Sequence, residues 1–128
     1  MTITQTIERT TLSNLVSNEE YCRKVLPFIK ADYFDVKEER VVFEEITSFV
    51  EKYKRIPTKI SLEIEVETRK DLTDVEHKKI VEIIQTLDST DVDMEWLVDT
   101  TEKFCKDKAI YNAIVDGISI IDGKDKKR

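Results

Sequence analysis

Glycine and proline are scarce, at two each in 128 residues. An average chain carries about four times that share of turn formers, so long helices are the expectation. A phosphate loop of the form G-x-x-x-x-G-K-[ST] needs glycines five apart with Lys and Ser or Thr following. Gly117 and Gly123 are six apart and lack that sequel. The dinucleotide fingerprint needs three glycines, and all-β folds with many tight turns need more turn residues than are present. Cysteine is also sparse. Cys22 and Cys105 stand in helix-like contexts without C-x-x-C or Cys/His spacing, which reads as two reduced thiols in or near the core of a cytosolic protein. No run of 18 apolar residues occurs, and the first residues lack a basic stretch followed by an apolar one. The expectation is a soluble, cytoplasmic chain with no membrane contact.

Charge, by contrast, is abundant. Charged residues make up 38% and apolar residues 40%, enough for one core under a surface of salt-laced helix faces. The length suits a single domain. The net charge of −6 is uneven, with −8 over residues 1–121 and +2 over residues 122–128. An acidic body is poorly suited to neutralising phosphates, so little direct DNA binding is expected. The basic tail, residues 122–128, reads as a solvated end.

The apolar spacing divides residues 1–92 into a helical body. Ile3, Ile7, Leu12, Leu15 and Val16 recur at helical intervals. Asn18 is placed to cap a second helix through Leu26, closed by Pro27. Tyr33 and Phe34 lie in a connector and are expected to pack inward. Asp35 and Glu38 have the form of a capping box for a helix carrying Val42, Phe43, Ile46, Phe49, Val50 and Tyr53, stopped at Ile56-Pro57. From Ile60 to Val66 apolar and polar residues alternate, the period of a strand. A lone strand has no partner, because no second alternating run exists, so a helix is preferred there. Thr73 and Glu76 form a second box, before a stripe of Val75, Ile80, Ile83, Ile84 and Leu87.

Residues 93–121 read as one long helix capped by Asp93, packing on the body and extending to a partner. Up to Cys105 its apolar residues serve the core; beyond it Ile110, Ile114, Val115, Ile118, Ile120 and Ile121 form a surface that calls for another helix. Trp96, in the first turn, is expected to anchor the helix to the core. Chemistry is sparse. His77 sits between charged neighbours and reads as a solvated side chain; metal-ligand spacing, a nucleophile elbow and a carboxylate pair are all missing. No catalytic residue, cofactor or metal is expected. The residues alone describe a helical interaction or assembly module.

A resemblance gives that module a context. The succession Tyr21-Cys22-Arg23-Lys24-Val25-Leu26-Pro27-Phe28, Asp32-Tyr33-Phe34, Val42-Phe43-Glu44-Glu45-Ile46 and Tyr53-Lys54-Arg55-Ile56-Pro57 resembles the N-terminal domain of DnaB-like replicative DNA helicases, in particular the T-even phage type. It continues in Glu95-Trp96-Leu97-Val98, Thr101-Glu102-Lys103-Phe104 and Ala109-Ile110-Tyr111-Asn112-Ala113. The resemblance implies an all-α fold, a small multi-helix bundle followed by a helical hairpin whose first arm is the long helix. It implies hairpins that pair between subunits in a collar on a hexameric ring. It also implies a non-catalytic role in DNA replication: ring oligomerisation and docking of a primase or helicase loader within a primosome, in the bacterial host cytoplasm if the protein is phage-encoded. Self-association is then expected through Tyr111, Ile114, Val115, Ile118 and Ile121. The ATP-dependent motor of such a helicase would follow Arg128, making the chain a fragment of a longer helicase or a free-standing paralogue. A reading from another class is a free-standing adaptor that binds a partner helix through the same apolar band.

Overall fold

The structure, a computed structural model, describes residues 3–121, with the side chains of residues 5–119. The basic tail, Gly123 and the side chains of Ile120 and Ile121 lie outside the described residues. Six α-helices follow one another: α1 (Ile3–Leu15), α2 (Glu19–Val25), α3 (Lys37–Tyr53), α4 (Lys59–Glu67), α5 (Asp74–Gln85) and α6 (Met94–Ile121). Two 3-10 turns, Leu26–Phe28 and Ala31–Tyr33, join α2 to α3. The described residues contain no strand, in agreement with the all-α expectation.

Local chemistry sets most helix starts. Asn18 is extended, at φ −134°, and its side chain accepts the Tyr21 N–H at 3.0 Å. Thr73 and Glu76 form the expected reciprocal box at α5, which satisfies backbone donors that have no partner within the helix. Asp93 accepts the Trp96 N–H at 2.9 Å and so caps α6. At α4 a box pairs Thr58 with Ser61, so the alternating segment is a helix. Leu62 and Val66 are fully buried, while Ile60 is 71% and Ile64 55% exposed. On a helix those pairs lie on opposite sides, which is how period 2 arose in a short amphipathic element.

Elsewhere the structure departs from the sequence reading. The Asp35–Glu38 box does not form: α3 begins at Lys37 with Val36 as N-cap and no side-chain cap. Asp35 is held otherwise, its carboxylate by Lys108 of α6 and its N–H by Glu8 of α1. The end of α3 also comes earlier than Ile56-Pro57. Lys54 takes the left-handed conformation at φ 59° and donates its N–H to Val50 O at 2.8 Å, closing the helix as an αL cap. Val75 faces solvent, outside the stripe assigned to it. His77 is not merely solvated: Nε2 lies 3.0 Å from Val66 O and tethers α5 to the C-terminal end of α4. Trp96 is 53% exposed, and the buried Leu97 beside it anchors α6 instead.

The helices pack in two groups. α3, α4 and α5 contact one another, α6 lies against α1 and α2, and α1 touches α3. Tyr21, Val25, Phe34, Val42, Ile46, Leu62, Ile80 and Ile84 fill the core between them. Phe34 lies 5.3 Å from Phe43 and 6.4 Å from Phe104, joining α3 to α6 through its ring. Arg69 reaches Glu44 and Glu45 of α3 and Asp71 of its own loop; the guanidinium holds the Asp71 carboxyl down at about 2.

Candidate interaction surface

The root of α6 is buried through one face. Leu97, Thr101, Phe104 and Cys105 are each less than a tenth exposed. Tyr21 of α2 meets Thr101 with their hydroxyl oxygens 2.6 Å apart, and Thr101 in turn donates to Leu97 O. One turn beyond Phe104, Lys108 binds the Asp35 carboxylate, with most of the lysine side chain covered. After Lys108 no described residue of α6 is buried. Nearly half of a helix roughly 40 Å long therefore stands clear of the body.

The exposed end is apolar where the root is apolar. At 100° per residue, Tyr111, Ile114, Val115 and Ile118 fall within about 100° of one another, in line with Leu97 and Phe104. All four are exposed, Tyr111 to 61%. The face that enters the core thus runs on into solvent. Four of the five residues assigned to self-association share this stripe; Ile121 continues the helix, with its side chain outside the described residues. Ile110 flanks the stripe, Ala113 lies on nearly the opposite side of the helix, and Gly117 has no atom within 4 Å of where a Cβ would stand. Open clefts border the root, one lined by Ile7, Asp35, Phe104 and Tyr111, the other by Phe28, Tyr33, Cys105 and Ala109.

Two features of the body escaped the sequence reading. Glu8 and Glu39 are fully buried carboxyls. Arg9 Nε donates to Glu39 Oε2 at 3.0 Å, and the Asp35 N–H donates to Glu8 Oε2 at 3.2 Å. The Oε1 atoms of both are buried without a hydrogen bond. Burial pushes the Glu8 carboxyl up to about 7, against the opposing Asp35 hydrogen bond, and the negative charges of Asp35 and Glu39 add to the rise. Helical spacing from Leu12 and Leu15, rather than residue type, was the available signal, since position 8 falls beside the apolar face. The second feature is the outward pair Ile60 and Ile64, readable as positions opposite Leu62 and Val66 once that segment is taken as a helix. Burial also raises the Cys22 and Cys105 thiols to about 11. No group of three or more His, Cys, Asp or Glu among the described residues is arranged to hold a metal, and no described helix is long and apolar enough to cross a membrane.

Comparison with known proteins bears on what this surface serves. Residues 2–95 match the family described as DnaB-like helicase N terminal domain, so the match stops where α6 begins. The "DnaB-like replicative helicase" of Enterobacteria phage T4 is 30% identical over 102 residues, 80% of this chain and 21% of that protein. The chain spans about a fifth of that relative's length.

Proposed function

Because the chain belongs to the DnaB-like helicase N-terminal domain family, we propose that it is the non-catalytic assembly and docking end of a replicative DNA helicase. In this reading residues 1–92 are a body that receives a primase or helicase loader. Residues 93–121 are the first arm of a helical hairpin that pairs with a second copy and builds the ring. The motor and its ATP site belong to another part of the protein.

The observation that carries the reading is the solvent-facing stripe of Tyr111, Ile114, Val115 and Ile118 on a helix whose root is fixed in the core. Four large apolar side chains aligned on a projecting helix gain most of their hydrophobic stabilisation only when a second surface covers them. The acidic body fits this role, because it leaves the DNA strand to the motor instead of retaining it by its own field.

Light scattering on the purified chain tests the reading. The expected result is a mass above the 15.0 kDa of one chain, rising with concentration. I114K/I118K is expected to return the mass to that of a monomer with an unchanged helical circular dichroism signal. A monomer at high concentration, indifferent to those substitutions, would overturn the self-association. The chain by itself is expected to hydrolyse no ATP.

A further inference from the structure

We propose that the outward face of α4, centred on Ile60 and Ile64, docks a basic amphipathic helix of a partner protein. The proposal rests on the docking role above and gives it a location, on the body and away from the α6 stripe. Leu62 and Val66 already fix α4 to the core, so folding makes no demand for isoleucine on the other side. Ile60 and Ile64 are nevertheless 71% and 55% exposed, one turn apart. An i, i+4 apolar pair is the anchor spacing by which one helix lies across another. Beside them Glu65 borders a shallow cleft lined by Phe49 and Tyr53, whose rings pair at 4.6 Å, and by Lys52, whose ammonium lies 5.3 Å from the Tyr53 ring centre. Tyr53 is itself 44% exposed.

Charge identifies the partner's chemistry. Glu63, Glu65 and Glu67 surround the pair and form no ion pair or side-chain hydrogen bond among the described residues. The helix's one cation, Lys59, is occupied by Asp88 and the Gln85 carbonyl. Glu63 lies at the centre of α4, and Glu65 and Glu67 lie in its last turn, which has no basic residue. There the helix dipole disfavours negative charge. The arrangement therefore works against the helix's own stability, and three uncompensated carboxylates around two apolar anchors are complementary to a helix with aliphatic anchors flanked by Lys or Arg.

The experiment titrates the full chain with a synthetic 20-residue helix carrying leucines at i, i+4 and i+7 flanked by lysines. A matched peptide with glutamates in place of the lysines serves as the comparison, and backbone amide NMR shifts are the readout. The lysine peptide is expected to move the signals of residues 59–68 and Tyr53, with affinity falling as salt rises. I60S/I64S is expected to weaken it by about tenfold or more, and E63K/E65K/E67K to reverse the preference between the peptides. Both variants change solvent-facing positions, and unshifted core signals verify their fold. Shifts at 59–68 that are absent, or equal for the two peptides, overturn the proposal. A fall in light-scattering mass on I60S/I64S also overturns it, by showing that a second copy covers the face. The assembly reading stands or falls separately, on the mass response to I114K/I118K.

Discussion

The hydroxyls of Tyr21 and Thr101 lie 2.6 Å apart in the buried contact between α2 and α6. Thr101 gives its own proton to Leu97 O, so Tyr21 is the donor of the pair. Tyr21→Phe removes that donor and leaves Thr101 with its intrahelical bond. Such a loss costs about 1 kcal/mol, and it falls on the root that holds the projecting helix. The expected outcome is a lower urea midpoint with an unchanged denaturant slope. Thr101→Ala should act in the same direction, leaving the buried Tyr21 hydroxyl with Thr11 as its side-chain partner.

The Glu8 carboxyl makes stability fall as pH rises. In the unfolded chain it ionises near 4.5, whereas burial holds it protonated in the fold until about 7. Below 4.5 both states carry the proton and nothing is lost. Between 4.5 and 7 the unfolded chain alone gains by ionising, so the fold loses up to about 3 kcal/mol, and above 7 the loss is constant. The Asp71 carboxyl, held at about 2, acts in a separate window: its contribution is lost as pH falls below 4. Chemical denaturation at pH 5 and pH 8 is expected to show the drop for the native chain and a much smaller one for Glu8→Gln. Equal drops in the two proteins would refute the assignment.

Substitutions in α4 are expected to separate its two sides. Leu62→Ala empties a fully buried site and should cost about 2 to 5 kcal/mol. Ile60→Ala, at a solvent-facing site, should change stability by less than about 0.5 kcal/mol. Thermal unfolding of the two variants checks both values.

That contrast also explains what could be read from the sequence. Caps written as a side chain three residues before its N–H partner, at Asn18, Thr73 and Asp93, were legible because both members of each contact are local. The 3.6-residue period gave α6 its full span and divided its buried root from its exposed end near Cys105. Illegible were contacts set by distant parts of the chain. Asp35 has the sequence of a cap, yet Lys108, 73 residues away, and Glu8 hold it instead. His77 reads as solvated until α4 brings the Val66 carbonyl beside it. Lys54 in the left-handed region ends α3 without a glycine to announce it. Trp96 looked like an anchor by size, and the helix turned Leu97 inward instead.

Gly117 supplies a control for the direction in which α6 finds its partner. The residue is helical, and a Cβ added there meets nothing within 4 Å. Gly117→Ala should therefore raise stability by about 0.5 to 1 kcal/mol, by reducing the freedom of the unfolded chain and favouring the helix. On the helical wheel Gly117 lies about 100° from the centre of the stripe formed by Tyr111, Ile114, Val115 and Ile118. If that stripe is the face that pairs, an added methyl at 117 leaves the assembled mass unchanged while the melting temperature rises. A drop in mass would move the interface round to the side of Ala113 and Gly117, where two small residues one turn apart would let another helix approach closely. Light scattering and thermal unfolding on the same sample distinguish the two faces, because only the mass depends on which one is covered.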